Sequence, residues 1–289
     1  SMMSIAYMEQ PVKRKKKFKV GTAAIYVFLV LWAITTIFPF VWVILNSFKE
    51  SSEVLSSSFA LPKVFTMMNY ENAFTKMKVL SAYKNSFIIS GSVTIGVMLF
   101  SALMSFGLSR YHFKGNKIIQ SLVVASLMFP VFSTIIPVFR MMVSWKLLNN
   151  NLAVILPQIA GNLSFATIVM KGFMDSIPIE MEEAAYMEGA NVFQVFRKII
   201  VPLCKPSLST VAIFSFMWSY NDLFVQKVMI SDKTKFPVST LLEEISSLYG
   251  TDYGLMAASV TIIVVPVVIV YIFLQKNIIK GLTAGAVKG

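Results

Sequence analysis

Six stretches of this chain run almost without charge for long enough to cross roughly 30 Å of hydrocarbon at about 1.5 Å per helical residue. They cover residues 20–45, 85–109, 118–139, 152–170, 206–226 and 253–275, and Asp222 is the one acid or base inside them. A chain so built cannot leave its backbone unpaired in lipid, which restricts it to helices or a closed barrel. A barrel would show strands of about ten residues with alternating polarity. These windows are instead continuous blocks of Val, Ile, Leu, Phe and Met, so the expected fold is an all-α membrane protein with six transmembrane helices. Composition agrees: 56% of residues are hydrophobic, 14% are charged, and the mean hydropathy is +0.70. Those values lie far from the averages of soluble domains.

Pro39, Pro130, Pro137, Pro157 and Pro266 fall inside the windows and predict kinks around a central path. The first window is longer than a leader's apolar core and is followed by no small-residue cleavage site, so it is expected to persist as a helix. Most of the 26 basic residues lie in 1–20, 110–117, 171–205 and 276–289. This bias places both termini in the cytoplasm. The cluster from Lys13 to Lys19 then reads as a topological anchor rather than a nucleic-acid site. The organisation is a basic cytoplasmic arm at 1–19 and a six-helix membrane domain at 20–289, with a cytoplasmic tail at 276–289.

The chemistry of catalysis is missing from the sequence. It has no G-x-x-x-x-G-K-[ST] loop, G-x-S-x-G elbow or H-E-x-x-H helix, so it is not expected to be an enzyme or to hydrolyse ATP itself. One cysteine, Cys204, and one histidine, His112, provide no disulfide and no metal set. Asp222 alone does not make the relay of buried acids found in many ion-driven carriers. If the chain transports, its energy is expected to come from another chain.

The segment 175–205 carries the most specific local signals. Asp175 or Ser176 is placed to cap a short helix, Pro178 suits its first turn, and Glu180, Glu182 and Glu183 put negative charge at its positive end. Gly189 supplies a stop. Asn191 is placed to cap a second helix, in which Val192, Val195, Phe196 and Ile199 follow i, i+3, i+4, i+7 spacing until Pro202 and Pro206 close it. Spacing alone leaves two readings open: a docking surface, or a helix pair resting on lipid headgroups.

The pattern E-A-A-x3-G-x9-I-x-x-P formed by Glu183, Ala184, Ala185, Gly189, Ile199 and Pro202 resembles the signature loop of the membrane subunits of ABC importers. Val201 stands in place of the usual leucine, and Glu188 where aspartate often precedes the glycine. Asn46-Ser47-Phe48-Lys49, the run from Leu108 to Gly115, Trp218-Ser219-Tyr220-Asn221-Asp222 and the ending 280–289 look like the carbohydrate branch, specifically the maltose-type second permease. The resemblance covers residue 46 to the end and implies a type I importer permease fold with a cytoplasmic coupling helix. It implies a homologous permease partner in a heterodimer, two cytoplasmic ATPase subunits that hold the ATP and Mg, an extracytoplasmic sugar-binding protein and a place in the cell membrane.

ATPase closure would then be transmitted through Glu182, Glu183, Ala184, Ala185, Gly189, Ala190, Ile199 and Pro202, switching the helices from inward-facing to outward-facing. Trp218, Tyr220 and Asn221 are candidates for the substrate path, although the two aromatics equally suit an interfacial belt. The polar loop 231–251 is placed to face the binding protein. The competing classes are an ion-driven secondary carrier and a non-transporting structural membrane subunit.

Overall fold

The computed structural model describes residues 20–248 and 252–286, so the basic arm at 1–19 lies outside the described residues. Helices account for the regular structure throughout this range, and no strand occurs among the described residues. In chain order they are α1 (Val20–Asn46), α2 (Ser51–Ser57), α3 (Met68–Lys76), α4 (Val79–Arg110), α5 (Asn116–Ser126), α6 (Val131–Ser144) and α7 (Leu152–Met174). Next come α8 (Glu180–Met187), α9 (Val192–Val195), a π-helical turn at Phe196–Ile200 and α10 (Val201–Leu203). The chain continues through α11 (Lys205–Asn221), α12 (Leu223–Met229), a 3₁₀ turn at Lys233–Lys235, α13 (Val238–Leu248) and α14 (Tyr253–Ala286).

Among the described residues, single helices long and apolar enough to span a bilayer form in four places, Gly21–Asn46, Val79–Arg110, Leu152–Met174 and Tyr253–Phe273. The other two windows are broken, each for a local reason. Window 118–139 divides into α5 and α6 because Pro130 supplies no N–H and disfavours helical backbone at Phe129; Pro130 itself is extended, at ψ 132°. Window 206–226 stops at Asp222, whose ψ is 94° and whose carboxylate accepts from Val225 N at 3.0 Å to cap α12. The helices run through Pro39, Pro137, Pro157 and Pro266. Window 253–275 extends as helix to Ala286, so most of the expected tail is the end of α14. Segment 231–251 is not a plain loop: α13 occupies much of it, with Val238 and Leu241 buried.

The centre of the protein is the packing of α4 against α7 and α11. On α4 the buried positions Ile89, Val93 and Val97 fall at intervals of four, and Ser86, Ser90, Ser101 and Ser105 are fully buried beside them. Small residues let helix backbones approach within a membrane, where no hydrophobic effect drives them together. Ser105 Oγ, for example, donates to the Thr167 carbonyl of α7 at 2.9 Å. Ala153, Val154, Ala166 and Met170 on α7, with Val211 on α11, complete this core. By contrast α1 leaves Ile25, Trp32 and Phe38 exposed; its C-terminal half meets Phe59 through Phe38 and Trp42, and at its end Asn46 Nδ2 donates to the Ser58 carbonyl at 3.0 Å. Lys49 is buried there too, its ammonium donating to the Ser57 carbonyl at 2.9 Å at the C-terminus of α2, where the helix dipole favours a cation.

Candidate functional site: the loop between the fourth and fifth apolar windows

The loop is anchored before it begins. Asp175, one residue past α7, accepts from Lys171 Nζ at 2.7 Å and from Ser109 Oγ at 2.5 Å. Burial pushes its carboxyl pKa up, but the Lys171 and Ser109 hydrogen bonds, with the charges of Lys171 and Arg110, bring it below the ordinary 3.8. This carboxylate therefore does not cap α8, nor does Ser176, whose Oγ donates back to the Phe173 carbonyl at 2.5 Å. Helix α8 starts beyond Pro178 with Ile179 at its N-cap and no side-chain cap. Glu180, Glu182 and Glu183 in its first turn supply the negative charge instead.

Gly189 ends α8 as expected, at φ +86°. Gly189 N–H donates to the Tyr186 carbonyl and Ala190 N–H to the Ala185 carbonyl, both at 3.0 Å. These paired bonds are a Schellman termination, which needs a left-handed residue where glycine stands. One residue on, Asn191 Oδ1 accepts from Gln194 N and Gln194 Oε1 from Asn191 N, both at 2.9 Å. That capping box fixes the start of α9; the sequence reading identified Asn191 and missed Gln194.

The second helix departs from simple α spacing. At Phe196–Ile200 the turn widens, and Val201 N–H donates to the Phe196 carbonyl five residues back. Pro202 follows within two residues; a wider turn relieves the clash that its ring would make in an α-helix. The extra residue moves the buried stripe from the expected Ile199 to Ile200, which with Val195 is completely buried. Ile199 is left half-buried, and the α9 to α10 segment meets α11 at 76°.

These turns sort the residues expected to couple into two sets. Glu182 is buried and paired with the Arg110 guanidinium at the end of α4, while Ala185 and Ala190 pack against the central core. Glu183 and Ala184 are exposed, as are Gly189 and Pro202. Between α8 and the π turn lies a groove of about 620 Å³ lined by Glu180, Met181, Ala184, Lys198, Ile199, Pro202 and Leu203. On the same loop Met187 is 88% exposed and Phe193 66%. The lining of the groove is mostly apolar, with the Glu180 carboxylate and the Lys198 ammonium among it.

The three substrate-path candidates do not converge. Trp218 packs on Phe165 and Phe214, with ring centroids 5.0 and 5.8 Å away. Tyr220 is buried against Phe87 and Phe216. Asn221 Nδ2 donates back to the Met217 carbonyl at 2.8 Å. Tyr220 and Asn221 line a cavity of about 410 Å³ between α4, α11 and α14, together with Phe87, Phe216, Met217 and Tyr271, and Trp218 stands outside it. Among the described residues no three His, Cys, Asp or Glu side chains gather as a metal would require.

The described residues thus form an all-helical chain of membrane-spanning character with an anchored, grooved loop between its fourth and fifth apolar windows. Residues 93–284 match the family described as the inner membrane component of binding-protein-dependent transport systems, and the chain belongs to that family. It is 34% identical over 259 residues to the diacetylchitobiose uptake system permease protein NgcG of Streptomyces coelicolor, covering 89% of this chain and 86% of that one. It is 31% identical over 268 residues to the galactooligosaccharides transport system permease protein GanQ of Bacillus subtilis, covering 91% and 94% respectively. A chain in the crystal structure of a bacterial ABC transporter that imports the acidic polysaccharide alginate shares the fold, with a TM-score of 0.79 at 23% identity over 89% of this chain and 96% of that chain. The resemblance to ABC importer permeases, drawn from the E-A-A loop, and to their carbohydrate branch, drawn from 46–49, 108–115, 218–222 and 280–289, holds against these relatives.

Proposed function

We propose that this chain is one of two homologous permease subunits of an ATP-driven oligosaccharide importer, and that the α8 groove receives one of two cytoplasmic ATPase subunits. The observation that carries the docking half is the separation of neighbouring glutamates: Glu182 is satisfied inside by Arg110, while Glu183 is exposed on α8, next in sequence to Ala184, which lines the groove. An exposed carboxylate on a short helix pinned at its C-terminal end presents a fixed charge to a basic group on a partner. The relatives whose names specify diacetylchitobiose and galactooligosaccharides support an oligosaccharide as cargo. Six crossings follow if α5 with α6, and α11 with α12, each form one broken span. Both termini and the groove then face the cytoplasm, and α13 faces the extracytoplasmic sugar-binding protein.

The test is purification of the complex from its native membrane with wild-type chain and with Glu183→Lys. The wild-type chain is expected to bring a second permease and ATPase subunits with it and to support binding-protein-dependent sugar uptake. Glu183→Lys is expected to insert normally and lose the ATPase. Full ATPase retention by that variant would refute docking at this groove.

A further inference from the structure

We infer that Arg110 is a positioning residue through which movement of α8 reaches the core of the membrane domain. This rests on the docking of an ATPase at α8 and names the link that the docking reading leaves open. Arg110 is the last residue of α4, a helix of 32 residues that packs against both α7 and α11. Its side chain is 10% exposed and that of Glu182 is 4%. The Arg110 Nε donates to Glu182 Oε1, Nη2 donates to the Ile177 carbonyl at 3.2 Å, and Nη1 donates to Ser109 Oγ at 3.1 Å. Ser109 in turn donates to Asp175 at 2.5 Å. One guanidinium thus holds both the lead-in to α8 and its first turn.

Other parts of the loop converge on the same end of α4. Phe196 of the π turn packs on Phe106 of α4, with ring centroids 5.2 Å apart. The chain entering α8 from α7 is a short non-helical segment around Pro178, which by itself transmits little. A buried ion pair resists separation because each partner would be left as an unpaired buried charge. A push on α8 therefore displaces α4, and α4 is a rigid rod of roughly 48 Å at 1.5 Å per residue. Lysine would keep the charge and lose the fork, since an ammonium does not hold the fixed multidentate geometry that reaches Glu182, Ile177 and Ser109 together.

The experiment uses the complete complex, with partner permease, ATPase and sugar-binding protein, reconstituted in proteoliposomes. Two quantities are read for wild type, Arg110→Lys, Arg110→Gln and the exchange Arg110→Glu with Glu182→Arg: the ATPase retained on purification, and sugar imported per ATP hydrolysed. For Arg110→Lys and Arg110→Gln the expected result is full ATPase retention with sugar imported per ATP reduced about five- to tenfold or more. The exchange is expected to recover part of that ratio. A wild-type ratio in Arg110→Lys overturns the inference, because the fork is then dispensable. Loss of the ATPase or of assembly in both single variants also overturns it, since Arg110 then serves only to build the loop. Glu183→Lys reports separately on docking, through ATPase retention alone, so failure of the docking reading is distinguishable from failure of the relay.

Discussion

Gln158 of α7 donates its amide to Asp222 Oδ2 at 2.8 Å, across the break between α11 and α12. The same Gln158 accepts from Ser219 Oγ at 2.5 Å, and Gln226 of α12 donates to the Ser219 carbonyl at 2.7 Å. The one acid of the apolar windows is therefore a joint, capping α12 and tying both halves of the broken helix to α7. Asp222→Ala removes the cap, worth about 1 kcal/mol, and leaves a buried amide donor unsatisfied at about 1–3 kcal/mol. Thermal unfolding of the purified protein should show the larger loss for Asp222→Ala and a smaller but clear one for Asp222→Asn, which keeps an oxygen for Val225 N–H but turns an amide N–H onto the Gln158 donor. Equal losses would show that the bond from Gln158, rather than the cap, holds the joint.

Gly254, at the start of α14, faces a different constraint. A Cβ there would sit 2.5 Å from the Lys49 carbonyl oxygen and 2.7 Å from Asn69 Nδ2. Asn69 is already committed, donating to the Ser47 carbonyl at 2.9 Å and to the Lys49 carbonyl at 2.7 Å. The obstruction includes backbone, so Gly254→Ala is expected to destabilise by about 1–3 kcal/mol, the range for overpacking. Gly96→Ala meets the Cδ1 of Ile159 at the same 2.5 Å, but that is the far end of a side chain rather than backbone. Heating both variants in detergent and following monodispersity should show Gly254→Ala failing at the lower temperature.

Much of this was legible because membrane helices must be long and free of charge, and the windows at 20–45, 85–109, 152–170 and 253–275 each lie within a single helix. The broken windows were legible in part: Asp222 marked an interruption, but Pro130 resembled the other four prolines, which stay inside helices. The π turn was not legible, since a rule of i, i+3, i+4, i+7 has no place for an extra residue, so it put Ile199 on the buried stripe that Ile200 occupies. Nor did spacing separate Glu182 from Glu183. Their difference is imposed by Arg110, 72 residues from Glu182 in sequence, and no local pattern encodes a partner that distant.

Asp175 gives the anchor of the loop a dependence on acid. Burial raises its pKa, and the Lys171 and Ser109 hydrogen bonds with the Lys171 and Arg110 charges outweigh it, so the folded value lies below the ordinary 3.8. A depressed carboxylate pKa stabilises the fold above the ordinary value, and this contribution is lost as pH falls through the lower folded value. Wild-type stability should therefore show an extra decline on acidification below about pH 4, compared with Asp175→Asn. Parallel profiles of the two proteins would show that this carboxylate contributes no linkage.

Gly189 is the point where local conformation and docking make separable predictions. Its φ of +86° lies in the left-handed region, yet a Cβ there would meet nothing within 4 Å. Gly189→Ala is therefore penalised through the backbone alone, by about 1–2 kcal/mol, and Gly189→Asn by less because asparagine tolerates that region. The Schellman bonds from Gly189 and Ala190 to Tyr186 and Ala185 should fray in the same order, read by hydrogen exchange of those two amides. A large side chain adds a second effect. The open space around Gly189 lets Gly189→Trp insert and fold, but it fills the approach to α8 that a docked ATPase would need. Gly189→Trp should then reach the membrane at wild-type level while ATP hydrolysis no longer drives sugar uptake. Normal uptake by Gly189→Trp would place the ATPase contact elsewhere on the chain.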